Sequence, residues 1–219
     1  MARTFCVKSR DCQGSDGPLD WGMRFTVANW LTVSRVPAMF AIVWLMNREF
    51  AWAATIAFWL FIAAALTDWF DGMVARARGE VSSFGRFMDA VIDKVMVIGL
   101  MIALVVGHYF MGHEVLAMVL LLGILGREFL VSGMRMAAAT KGIVVEADSG
   151  GKVKTFVQLN AIGWLMGARM FSRDFGDLLP RELINGVHWT GLGLFVLSAV
   201  LTITSAVSYF RRHGHVVLD

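Results

Sequence analysis

The sequence predicts an all-α integral membrane protein, a six-transmembrane-helix bundle, and three observations carry that prediction. Of 219 residues, 57% are hydrophobic and only 17% charged, where a soluble domain carries about a quarter charged. Mean hydropathy is positive, at +0.63. The apolar residues gather into six runs near the ~20 residues a helix needs to cross a bilayer, and most of the charge falls between the runs.

Residues 1–20 form a polar leader that lacks the apolar centre and small-residue cleavage site of a secretory signal, and they read as a cytoplasmic extension. Its Cys6 and Cys12 are spaced neither as a redox pair nor as zinc ligands. Residues 21–28 form an interfacial segment, with Trp21, Arg24 and Phe25 suited to the headgroup layer. A single domain over residues 29–212 follows, with spans expected at 29–46, 52–70, 84–106, 115–136, 153–171 and 187–209 and a cytoplasmic tail over 213–219. The longest outer connection is expected at 172–187, around Pro180.

Orientation follows from lysine and arginine, since short loops rich in them stay cytoplasmic. With the N-terminus inside, the outer loops hold only Arg48, Arg169, Arg173 and Arg181, and Arg35 and Arg127 lie within spans. The remaining fourteen of the 20 basic residues are then internal, so both termini are expected in the cytoplasm. The net charge of +3 finds its partner in anionic lipid rather than nucleic acid, because the basic residues flank apolar runs.

Four carboxylates break the apolar pattern. Asp68 and Asp71 are three residues apart, Asp89 and Asp93 four apart, so each pair shares one helix face. Gly79 with Glu80 stops the first helix and Ser82 or Ser83 caps the next, which predicts two helices side by side across a tight cytoplasmic turn. An ionised carboxylate within a bilayer costs ~2.5–3.5 kcal/mol, so four together call for neutralisation. Divalent cations held by oxygen ligands supply it, and four carboxylates suffice for a two-metal centre. The plainer alternative is an ion-pair network with Arg76, Arg86 and Lys94. Gly72, Ala75 and Gly85 clear bulk beside the carboxylates, either for helix packing or, with Arg76, for a pyrophosphate.

Asp68, Asp71, Gly72, Ala75, Arg76, Gly85, Asp89 and Asp93 spell D-x2-D-G-x2-A-R-x8-G-x3-D-x3-D. This string resembles the signature of the CDP-alcohol phosphatidyltransferases at every position. The resemblance implies a six-span bundle, usually a homodimer in the cytoplasmic (inner) membrane, with a cytoplasm-facing active-site cavity where an alcohol displaces CMP from a CDP-linked lipid. It further implies two Mg2+ or Mn2+ ions held by Asp68, Asp71, Asp89 and Asp93, nucleotide contacts from Gly72, Arg76 and Gly85, and Asp93 as the base.

The alcohol is read elsewhere. Arg127 and Arg135 lie eight residues apart near one face of the fourth span, and Lys152 and Lys154 open the fifth. Such cations converge on an anionic acceptor; alternatively Glu128 pairs with an arginine of its own helix, and the lysines are membrane anchors. The strings R127-E-x2-V-S-x2-R135 and G151-K-x-K-T-x2-Q158, with Asn29, Leu31, Thr32 and Arg35 near the start, are similar to those of the branch that makes phosphatidylglycerophosphate. That resemblance implies CDP-diacylglycerol as donor, sn-glycerol 3-phosphate as acceptor, and possible substrate contacts from Thr32 and Arg35. The competing readings are another acceptor (phosphatidylglycerol, an inositol phosphate or serine) or, in a different class, a divalent-cation carrier. The carrier predicts acidic residues along a pathway, and the outer halves of the spans hold almost none.

Three weaker features complete the reading. Gly163 and Gly167 form a GxxxG that marks either packing within the bundle, the plainer meaning, or a dimer seam. The five histidines are expected to face solvent, and the eight tryptophans to face lipid or the interface.

Overall fold

The structure, a computed structural model, describes residues 27–78, 83–140 and 150–218. The described residues form six α-helices in chain order: α1 Val27–Met46, α2 Ala53–Arg78, α3 Ser83–Val106, α4 Glu114–Thr140, α5 Gly150–Asp174 and α6 Arg181–Leu218. Short connections at 47–52, 107–113 and 175–180 make α1 and α2, α3 and α4, and α5 and α6 antiparallel neighbours, and each of these pairs packs together. These three connections share one end of the bundle; segments 79–82 and 141–149 are outside the described residues.

The helices overrun the expected spans where polar sequence follows apolar sequence. α2 continues to Arg78 and α4 to Thr140. α6 runs to Leu218, so the expected tail is helical through residue 218. The outer connection is also shorter than 172–187, because α5 extends to Asp174 and α6 starts directly after Pro180, the residue best suited to precede a helix that needs no N–H from it. The leader and residues 21–26 lie outside the described residues.

Packing is driven by large apolar side chains. Ile42, Phe61, Leu100, Leu104, Ile162, Leu165 and Phe195 are fully buried between α1, α2, α3, α5 and α6. Small residues let backbones approach. A Cβ on Gly99 would meet Met39 Sδ at 2.7 Å, which brings α3 close to α1. Cβ atoms at Gly163 and Gly167 would touch Phe61 and Phe58, so the GxxxG of α5 receives α2 within the bundle. α1 and α5 each pack on both α2 and α3, and direct packing of α2 on α3 is not found among the described residues. The side-by-side arrangement expected from the short link therefore bears on helix ends whose side chains are outside the described residues.

The outer surface is apolar. Trp44, Trp59, Val119, Leu122, Phe129 and Trp189 are exposed, as a lipid-embedded bundle requires. By length and apolarity, two helical segments of the described residues, Glu114–Ala137 and Arg181–Arg211, suffice to cross a membrane; Val33–Met46 and Ala53–Thr67 are shorter apolar stretches. α5 falls short because it carries Lys152, Lys154, Gln158 and Asn160 and packs against α2, α3 and α6, so protein covers much of it in place of lipid.

The short-connection end is tied by capping. Asp174 Oδ2 accepts from Thr55 N (2.8 Å) and from Thr55 Oγ1 (2.6 Å), which gives an unpaired N–H of the first turn of α2 an acceptor on α5. His188 departs from the expected solvent-facing histidines. It is 4% exposed, and its Nε2 lies 2.9 Å from the Tyr109 carbonyl, because the first turns of α6 pack on the connection between α3 and α4. His108 and His113 are exposed as expected, and the side chains of His213 and His215 are outside the described residues.

Candidate active site

At the opposite end a polar cavity of about 210 Å³ opens among α3, α4, α5 and α6. Helical periodicity delivers its walls. On α4, Arg127, Val131 and Arg135 recur every four residues, with Glu128 and Ser132 beside them on the same face. α3 contributes Asp93 and Lys94, α5 contributes Lys154 and Gln158, and α6 contributes Ser205 and Tyr209. The structure thus brings together Asp93, Arg127, Arg135 and Lys154, which are 61 residues apart in sequence at the extremes.

Glu128 is the centre of this charge cluster. Its Oε1 accepts from Lys154 Nζ and from Arg127 Nη1, the latter at 2.9 Å, while Lys94 Nζ stands 3.8 Å from Oε2. Lys94 also donates to Ser132 Oγ at 2.7 Å. Lys154 is only 7% exposed, so without a carboxylate its charge would be stranded. The pairing of Glu128 with an arginine of its own helix is therefore real, but it accounts for one positive charge of several. Among the described residues that line the cavity, Lys94, Arg127, Arg135 and Lys154 face Asp93 and Glu128, two positive charges more than negative ones.

The surplus has donors to offer. Nε of Arg127 and of Arg135 is buried without a hydrogen-bond partner among the described residues, a condition that costs ~1–3 kcal/mol per group until an acceptor arrives. A dianionic phosphate monoester matches the surplus charge, and a guanidinium fork suits its oxygens. The volume also favours a small ligand, since pockets for drug-sized molecules occupy roughly 300–1,000 Å³.

The other sequence-predicted residues fall around this cavity or beyond it. Arg35 is buried on α1 and is not among the cavity's walls. Thr32 lies on α1 and Lys152 in the first turn of α5, their side chains outside the described residues. The same holds for Asp68, Asp71, Gly72, Ala75 and Arg76 on α2 and for Gly85 and Asp89 on α3, whose positions are known only as helical backbone.

Helical backbone is enough to test register. Asp68 lies ten residues before the end of α2 at Arg78, and Asp93 lies ten residues after the start of α3 at Ser83. Asp71 and Asp89 are seven and six residues from the same ends. At 1.5 Å per residue the outer pair stands about 15 Å from the link and the inner pair about 10 Å. Two of the four positions lie on each helix and thus stand at similar distances along the chain from the 79–82 link, the side chains of Asp68, Asp71 and Asp89 being outside the described residues. By donor chemistry alone, an all-oxygen set of four suits hard divalent cations such as Mg2+ or Mn2+.

Sequence reasoning missed Ser132, Gln158, Ser205 and Tyr209 as walls of the site. A signal for the α6 residues exists in the chain. Ser198, Thr202, Ser205 and Tyr209 recur at steps of four, three and four residues, a polar stripe along one face of α6.

Comparison with known proteins agrees with this geometry. The profile of the CDP-alcohol phosphatidyltransferase family matches residues 25–204. A Salmonella choleraesuis (strain SC-B67) protein named CDP-diacylglycerol–glycerol-3-phosphate 3-phosphatidyltransferase is 34% identical over 199 residues, covering 90% of this chain and all of that protein. The Escherichia coli (strain K12) protein of the same name is 33% identical with the same coverage. Arabidopsis thaliana CDP-diacylglycerol–glycerol-3-phosphate 3-phosphatidyltransferase 2 is 37% identical over 205 residues, covering 88% of this chain and 82% of its own.

Proposed function

The chain belongs to the CDP-alcohol phosphatidyltransferase family, and from that premise we propose that it transfers the phosphatidyl group of CDP-diacylglycerol to sn-glycerol 3-phosphate, giving phosphatidylglycerophosphate and CMP. The observation that carries the acceptor is the small cavity beside Asp93 whose described walls hold two more positive charges than negative ones.

Arg127, Arg135 and Lys154, with Lys152 at the start of α5, grip the acceptor's phosphate. That grip turns the primary hydroxyl toward Asp93, which takes its proton as the hydroxyl oxygen attacks the phosphorus that bears the diacylglycerol. A new P–O bond forms to glycerol 3-phosphate, the P–O bond to CMP breaks, and CMP leaves with the electron pair. Asp68, Asp71, Asp89 and Asp93 would hold two divalent cations, and such ions supply neutralisation of the pyrophosphate and of the departing CMP. Gly72 and Gly85 leave room for the nucleotide and Arg76 holds its phosphate, in keeping with the family signature.

The bundle sits in the inner membrane as six spans with both termini and the active site cytoplasmic, supported by the fourteen-to-four division of basic residues between its two sides. By resemblance to its family it works as a homodimer.

The assay is CMP release by purified protein given CDP-diacylglycerol, Mg2+ or Mn2+, and a panel of glycerol 3-phosphate, phosphatidylglycerol, inositol phosphate and serine. Turnover is expected with glycerol 3-phosphate alone and none after chelation. Asp93→Asn should lower kcat by about 10²–10⁴-fold, the range for loss of a general base. Turnover with another acceptor in preference to glycerol 3-phosphate overturns the acceptor, and unchanged turnover in Asp93→Asn overturns the base.

A further inference from the structure

We propose that the polar stripe of α6 is a positioning wall for the acceptor, with Ser205 and Tyr209 setting the two arginines that hold the phosphate; the inference rests on reading the cavity as the acceptor pocket. Arginine has many rotamers, and one that must meet a phosphate in a fixed plane gains affinity when partners set it in advance. Arg127 is held from two sides. Its Nη1 donates to Glu128 of its own helix at 2.9 Å, and its Nη2 donates to Ser205 Oγ across the helix interface at 3.0 Å. With both terminal nitrogens engaged, the guanidinium plane is fixed, and each of them keeps a second N–H to offer. Arg135 is set differently: its guanidinium carbon lies 5.6 Å from the centroid of the Tyr209 ring, and that ring is itself buried.

The same face of α6 reaches a third wall residue. Gln158 of α5 donates to Thr202 Oγ1 at 3.5 Å, and Thr202 in turn donates to the Ser198 carbonyl at 2.6 Å. A hydroxyl in an apolar helix ordinarily satisfies itself on its own backbone. Thr204, one residue before Ser205 and facing outward, does so on the Val200 carbonyl at 2.8 Å. Ser205 instead receives a charged donor from α4. The contrast between neighbours assigns Ser205 to the pocket rather than to the helix.

Steady-state kinetics of full-length protein in detergent or proteoliposomes tests the assignment. Ser205→Ala should raise the KM for glycerol 3-phosphate about fivefold to tenfold, the scale of one lost hydrogen bond, with the KM for CDP-diacylglycerol unmoved; Ser205→Thr, which keeps the hydroxyl, should restore most of the affinity. Tyr209→Leu should behave like Ser205→Ala, and Tyr209→Phe, which keeps the ring, like Ser205→Thr. In an Arg127→Ala background Ser205→Ala should add nothing, because its effect passes through that arginine. Equal changes in both KM values, or additive effects with Arg127→Ala, would reduce α6 to a structural helix and overturn the proposal. If unaltered protein does not consume glycerol 3-phosphate, the reading of the pocket itself fails, and that result is separate.

Discussion

Lys154 shows how much one buried charge decides. Its ammonium is held by Glu128, yet Glu128 is shared with Arg127 and lies near Lys94, so removing Lys154 leaves no carboxylate stranded. Lys154→Ala is therefore expected to fold and to lose a phosphate contact selectively. The KM for glycerol 3-phosphate should rise about tenfold to a hundredfold, the range of hydrogen bonds to charged groups, while the KM for CDP-diacylglycerol stays near its original value. A comparable rise in both constants would remove Lys154 from the acceptor pocket. Arg127, Arg135 and Lys154 were legible in the sequence because a charge inside an apolar run has few bland explanations. Ser205 and Tyr209 were not, since a serine or a tyrosine is ordinary in a span and their partners on α4 are set by tertiary packing alone. His188 was misread for the same reason, its burial arising from a connection about 80 residues earlier in the chain.

At the scale of elements, the α5 and α6 pair carries one side of the cavity, and its spacing depends on Gly191. A Cβ there would stand 3.0 Å from both the Leu165 backbone nitrogen and Leu165 Cγ, and a backbone atom cannot move aside as a flexible side chain can. Two residues on, Gly193 has open space. Gly191→Ala should therefore cost about 1–3 kcal/mol by overpacking, seen as a lower melting temperature in detergent, and Gly193→Ala should leave it unchanged or slightly raised through helix propensity. Equal melting temperatures for the two variants would contradict the close approach. Element existence was readable because six apolar runs have no soluble interpretation at this composition. Their ends were not, because α2, α4 and α6 continue as helix into polar sequence where hydropathy gives no sign of it. The GxxxG was read correctly as a packing surface, since small residues four apart expose backbone to a neighbour and α2 supplies Phe58 and Phe61 to fill the space.

At the scale of the whole molecule, the proposed activity depends on which end of the bundle meets the cytoplasm. The cavity lies at one end, with the helical positions of the four signature aspartates toward the same end, and the capped connections at 47–52, 107–113 and 175–180 belong to the other. On the proposed function both substrates carry phosphates that do not cross a bilayer unaided, which argues for a cavity end facing the compartment that supplies them. The basic residues argue for the same proposed orientation, since Arg48, Arg169, Arg173 and Arg181 are the few at the capped end. Leu178, 78% exposed in the connection between α5 and α6, is a suitable reporter for one side, and Val217 near the end of α6 for the other. In a Cys6→Ser, Cys12→Ser background, Leu178→Cys should react with a membrane-impermeant maleimide added to intact spheroplasts, and Val217→Cys only after permeabilisation. The reverse pattern would put the aspartates on the far side from their nucleotide substrate, and would break the link between the charge distribution and the chemistry on which the six-span orientation stands.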